Sequence, residues 1–149
     1  MALVNHASGV KLLLKVGDGM SPETFAQYCT INAARGFTIE AATNDFIIPD
    51  CDDLDGLAWL AREKVSLSMT VNGAGILNTD DTEDFYDWLV LETPKNVQIV
   101  VDVPSGDGGV IFAGAFHLTS FTLSGDRGAK ITAELTLVSD GEVTVTANT

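Results

Sequence analysis

Lys64-Val65-Ser66-Leu67-Ser68-Met69-Thr70-Val71-Asn72 alternates apolar and polar side chains almost without a break. Successive side chains of an extended strand point to opposite faces, so Val65, Leu67, Met69 and Val71 fall on one side and Ser66, Ser68, Thr70 and Asn72 on the other. The stretch reads as a half-buried strand, and the same period recurs on both sides of it. Residues 96–103 set Val97, Ile99, Val101 and Val103 against Asn96, Gln98 and Asp102, and Pro104 closes the run. Residues 110–124 and 129–139 read as longer strands joined by Ser124-Gly125-Asp126-Arg127-Gly128, whose glycines suit a tight hairpin connection. In the second of these, Ile131, Ala133, Leu135 and Leu137 oppose Thr132, Glu134 and Thr136. Asp140-Gly141 then turns the chain into a further strand at 143–146. Nearer the N-terminus, residues 10–16 and 37–41 read as strands, the latter introduced by Arg35-Gly36.

Two segments depart from this period. From Thr79 onward, Asp80, Asp81, Glu83 and Asp84 suit the positive end of a helix dipole, and Phe85, Trp88 and Leu89 follow at i, i+3 and i+4. This predicts a helix over 81–92, stopped by Pro94, with Phe85, Trp88 and Leu89 packing it on the sheet. Residues 41–63 read instead as a long loop: Leu54, Leu57, Ala58 and Ala61 have helical spacing, but Pro49, Gly56 and a crowd of carboxylates oppose a helix. Long loops within compact domains are usually functional or mobile. The chain is thus expected to be a single domain spanning 1–149, mainly β, with one helix and one long loop.

At 149 residues, 46% of them apolar and 19% charged, the chain is long enough to bury its own core. The formal charge of −13 disfavours adhesion to nucleic acid or anionic lipid, which rests on basic groups meeting phosphates. No basic region followed by an apolar run opens the chain, and Lys11 and Lys15 interrupt residues 10–16, so neither a signal peptide nor a membrane span is expected. Cys29 and Cys51 lack C-x-x-C spacing and are expected as reduced bystanders.

The residues that invite chemistry are few. Aligning Gly56 with the sixth position of a calcium-binding loop puts Asp53 and Asp55 at the third and fifth positions, but Cys51 at the first and Arg62 at the twelfth, where carboxylates are needed. A solvated acidic loop, or one meeting basic residues of another subunit, accounts better for Asp50, Asp52, Asp53 and Asp55. Ser105-Gly106-Asp107-Gly108-Gly109 lacks the Lys-Ser/Thr and the following helix of a phosphate loop, and Gly73-Ala74-Gly75 reads as a strand end. His117 has no second ligand at metal spacing and reads as a packed or hydrogen-bonded histidine. No catalytic, cofactor-binding or metal-binding residues are assigned, and an enzyme is not expected.

Taken in order, the segments resemble the major tail tube proteins of long-tailed bacteriophages and of gene transfer agents. Lys11-Leu12-Leu13-Leu14-Lys15-Val16-Gly17-Asp18-Gly19 is similar to the family's first strand and turn, and Ala34-Arg35-Gly36-Phe37-Thr38-Ile39 to the approach to its next strands. The strand at 65–76, ending in Gly73-Ala74-Gly75-Ile76, resembles the family's small-polar strand before the helix. Phe112-Ala113-Gly114-Ala115-Phe116-His117-Leu118-Thr119-Ser120-Phe121 resembles its G-x-F-x-(I/L)-T-S strand, and residues 133–145 its closing hairpin.

The resemblance implies a β-sandwich or partial barrel with a flanking helix and a long loop, six copies per ring, and rings stacked into a conduit for DNA ejection. The partners it implies are further copies of the chain, a tape measure protein in the lumen, and tail terminator and distal tail proteins at the ends. DNA would pass without specific binding, and no membrane is involved. The expected place is the virion tail, or a gene transfer agent particle, after synthesis in the bacterial cytoplasm. Asp50, Asp52, Asp53, Asp55 and Trp59 become candidates for ring stacking. Ser66, Ser68 and Thr70, or else Thr132, Glu134 and Thr136, become candidates for the lumen face. The alternative is a non-enzymatic β-sandwich module for calcium-assisted adhesion or carbohydrate binding.

Overall fold

The computed structural model describes residues 3–19, 22–28 and 30–148. Alternation dictates most of what forms: β1 (Leu12–Gly17), β2 (Phe25–Ala26), β3 (Ala34–Ile47), β4 (Leu60–Ile76), β5 (Lys95–Val101), β6 (Val110–Ser124), β7 (Thr132–Ser139) and β8 (Thr144–Ala147). They make one antiparallel sheet in the order β2-β1-β5-β6-β7-β4-β3, with β8 pairing the first residues of β6. The Cys29–Cys51 question lies partly outside the described residues, since Cys29 is not among them; Cys51 is a free, exposed thiol.

The sheet curls toward closure. Across the gap between β3 and β1, Arg35 donates from Nε to the Leu12 carbonyl and from one terminal nitrogen to the Val10 carbonyl at 3.3 Å, while the other terminal nitrogen turns back to the Ile31 carbonyl at 3.4 Å. A side chain therefore clasps what a strand ladder leaves open, and the result is a partial barrel. Its interior holds Leu14, Val16, Met69, Val71, Val97, Ile99, Phe116, Leu118, Leu135 and Leu137, all buried.

The helix is α1 (Thr82–Val90), preceded by a 3₁₀ turn at Thr79–Asp81. Phe85 and Trp88 are fully buried in the core, with Phe85 stacked between Tyr28 at 4.6 Å and Phe121 at 5.2 Å between ring centroids. Leu89, expected on the same face, is 37% exposed. At 100° per residue it lies about 70° from the centre of the Phe85–Trp88 face, which places it on the rim. The turn before α1 is pinned by Thr30, whose N–H and hydroxyl donate to Asp81 Oδ2 at 3.2 and 2.9 Å while its hydroxyl accepts from Asn78 N–H at 3.0 Å.

Residues 41–63 differ from the long loop expected. β3 runs on to Ile47 and β4 begins at Leu60, paired throughout apart from a bulge after Ala42, so only residues 48–59 are irregular. The hairpin is hidden in the sequence because both its faces are wet: residues 38–60 are exposed throughout. With no buried face, nothing in the chain's own packing enforces period two over 43–63. The same fact limits the opening stretch: Met69 and Val71 are buried, whereas Val65 and Leu67 are 54% and 74% exposed. Gly73-Ala74-Gly75 lies at the end of β4, whose last residue is Ile76. Thr30 and Asn32 cross β4 there, and a Cβ on Gly75 would stand 2.2 Å from the Thr30 carbonyl oxygen.

Candidate assembly surfaces

Directly opposed residues of antiparallel strands share a face, and the register therefore decides which polar side chains belong together. Thr70, Ser68 and Ser66 oppose Thr38, Glu40 and Ala42 of β3. On the other side of β4, Asn72, Ala74 and Ile76 oppose Thr136, Glu134 and Thr132 of β7, which in turn oppose Ser120, Thr122 and Ser124 of β6. The two sets read from the sequence as alternatives are one face. It is small and polar, with Thr136 Oγ1 donating to Asn72 Oδ1 at 3.3 Å. Its paired positions hold Glu40 and Glu134 and no lysine or arginine. Glu40 was missed by sequence reasoning, although the alternation Gly36, Thr38, Glu40 carries the signal that would have found it.

The second surface is the β3–β4 hairpin arm. The β4–β7 ladder stops at Thr70, and from there outward β4 has β3 as its neighbour. About ten residues of paired hairpin thus project from the body, roughly 30 Å at the usual rise per residue. Phe46, Ile47, Ile48 and Leu60 line its stem, and Leu54, Leu57 and Trp59 are 72%, 104% and 92% exposed at its tip. Exposed apolar area on this scale marks an interaction surface. The tip aspartates serve first as turn formers: Asp50 Oδ1 accepts from Asp52 N–H at 3.0 Å, and the Asp50 carbonyl from Asp53 N–H at 3.2 Å. Among the described residues no group of three or more His, Cys, Asp or Glu side chains is arranged to hold a metal.

Other features complete the inventory. Where the arm meets the body, Ile39, Leu67, Met69, Phe112, Val143 and Val145 line an open groove of about 510 Å³. Among the described residues, no strand pairs with the outer edge of β3 along its 14 residues. His117 meets Asp140 Oδ2 at 3.1 Å, a surface pair. The Tyr28 phenol is pushed above its ordinary 10.0, chiefly by burial and further by the Asp84 and Asp81 carboxylates. No helix is long and apolar enough to cross a membrane among the described residues.

A family model described as phage tail tube protein matches residues 6–145. The fold is similar to a chain in the virion of a native gene transfer agent particle, with TM-score 0.71, 22% identity and coverage of 95% of this chain and 100% of that one. It is similar also to a chain in the tail of an empty gene transfer agent particle refined with C6 symmetry, with TM-score 0.72, 22% identity and the same coverage. The SPP1 tail tube matches with TM-score 0.62 and 10% identity over 96% of this chain and 80% of that one. Curated protein sequences provide no match.

Proposed function

The chain belongs to the phage tail tube protein family and is a structural subunit of a virion-type tail, and on that premise we propose that its copies close into six-membered rings that stack into a DNA conduit. The observation that carries this reading is the single small-polar face of β3, β4, β7 and β6, set on a buried core and bounded on one side by an unpaired edge strand. An edge of 14 residues is an aggregation hazard on a lone chain and a joint when the next copy continues the sheet. The C6 symmetry of the similar gene transfer agent tail supports six copies.

In this arrangement Ser66, Ser68, Thr70, Thr132, Glu134 and Thr136 line the lumen, joined by Glu40. Six copies at −13 each repel phosphate, and the lumen share of that charge comes from Glu40 and Glu134. DNA slides past without being held. A tape measure protein occupies the lumen before ejection, and terminator and distal tail proteins cap the ends. The arm tip, with Asp50, Asp52, Asp53, Asp55 and Trp59, bridges one ring to the next. The chain carries no catalytic role in this reading.

Negative-stain microscopy of the purified protein tests it: rings or tubes with a central channel are expected, and a protein that stays monomeric at every concentration rejects the reading.

A further inference from the structure

The arm tip bears apolar side chains and carboxylates that nothing in its own chain covers. Leu54, Leu57 and Trp59 stand in solvent beside Asp50, Asp52, Asp53 and Asp55, and none of these carboxylates is ion-paired among the described residues. The β6–β7 hairpin is apolar too but of opposite net charge. Leu123 and Ile131 are 44% and 46% exposed there, and Arg127 and Lys130, which outnumber the neighbouring Asp126, are exposed cations without an ion-pair partner among the described residues.

Register places these two tips at opposite ends of the molecule. Ile76, the last residue of β4, opposes Thr132, which itself opposes Ser124, so the β6–β7 turn lies at one end of β4. Leu60, the first residue of β4, opposes Ile47 at the base of the arm tip. The two ends are separated by the length of a 17-residue strand, roughly 50 Å at the usual rise. No single copy can bring them together.

We propose that the occupant of the β6–β7 hairpin is the arm tip of a second copy, with Leu54, Leu57 and Trp59 covering Leu123 and Ile131 and the tip aspartates meeting Arg127 and Lys130. The contact is heterologous and head to tail, joining different surfaces of identical chains. Charge supplies orientation: copies that repel one another at −13 each meet favourably where the scarce cations are exposed. The inference rests on the stacked-ring reading and specifies the acceptor for its arm.

Charge reversal at each end tests it on the full chain. Asp52→Arg with Asp53→Arg and Asp55→Arg leaves only Asp50 acidic at the tip and both ends net basic, and Arg127→Glu with Lys130→Glu leaves both acidic. Each variant alone is expected to form at least about tenfold fewer tubes than the parent by sedimentation, since like charges then face across the contact. Mixed together they are expected to recover tubes in alternation, and one chain carrying all five changes recovers them by itself. Circular dichroism matching the parent shows that each variant is folded. Parent-like tubes from either variant alone, or no recovery in both the mixture and the combined variant, overturn this contact while leaving the tube reading intact. Absence of tubes from the parent chain overturns both.

Discussion

Single side chains decide how the open sheet is finished. Arg35 does the work of a strand ladder, tying β3 to the Leu12 carbonyl of β1 and to the Val10 carbonyl just before it, while a third bond to the Ile31 carbonyl holds its own side chain in place. Arg35→Ala is expected to lower unfolding free energy by about 2 kcal/mol, the scale of hydrogen bonds to a charged group. Chemical denaturation measures it. At Gly75 the constraint is backbone against backbone, so Gly75→Ala must displace the Thr30–Asn32 crossing or β4 itself. A loss of at least about 1 kcal/mol in the same assay is expected. The sequence showed Arg35-Gly36 and Gly73-Ala74-Gly75 as local punctuation only, because what each meets lies tens of residues away. Tyr28 gives a titratable check. Its phenol is held above 10.0 in the fold, so its contribution is fully present below pH 10 and is lost as the pH rises beyond it. Melting temperatures followed from pH 8 to pH 11 are expected to fall less steeply in Tyr28→Phe than in the parent.

At the scale of elements, legibility followed burial. β7 was readable because Ala133, Leu135 and Leu137 are buried while Thr132 and Glu134 are wet, which imprints period two on the sequence, and β5 carries the same mark at Val97 and Ile99 although Val100 is buried as well. The arm has two wet faces, and over 43–63 its sequence carries no such imprint, so paired strands there read as a loop. β2 is two residues long and gives no pattern at all. The helix announced itself through Phe85 and Trp88, but one buried stripe is narrower than an i, i+3, i+4 triplet and Leu89 falls outside it. Two expectations follow at this scale. Trp88→Ala empties a fully buried site and costs about 3–5 kcal/mol in denaturant unfolding. Replacing residues 48–59 by a two-residue turn removes no buried side chain, so the melting temperature is expected to hold within about 2 °C of the parent while tubes disappear from micrographs. Parent-like tubes from that variant reject the arm as the stacking element.

For the whole molecule, the acidity first legible as a bare net charge acquires a direction. Register places Glu40 and Glu134 on the small-polar face without a neighbouring cation, a joint placement that neither residue's local sequence reveals. Which polar strand faces share a surface is a property of pairing, and pairing joins segments far apart in the chain. If that face lines the conduit, Glu40→Lys with Glu134→Lys is expected to give tubes that retain double-stranded DNA on sedimentation at low salt and release it as salt rises, since counterion release drives the binding. Tubes that ignore DNA at low salt place those residues elsewhere.

The separation of the two hairpin tips has one more consequence. Under head-to-tail docking each added layer fills one acceptor and presents another, identical to the last, so no layer differs from its predecessor in any way the subunit can sense. Growth then has no internal clock or ruler, and a tail of defined length must take its measure from something other than this chain.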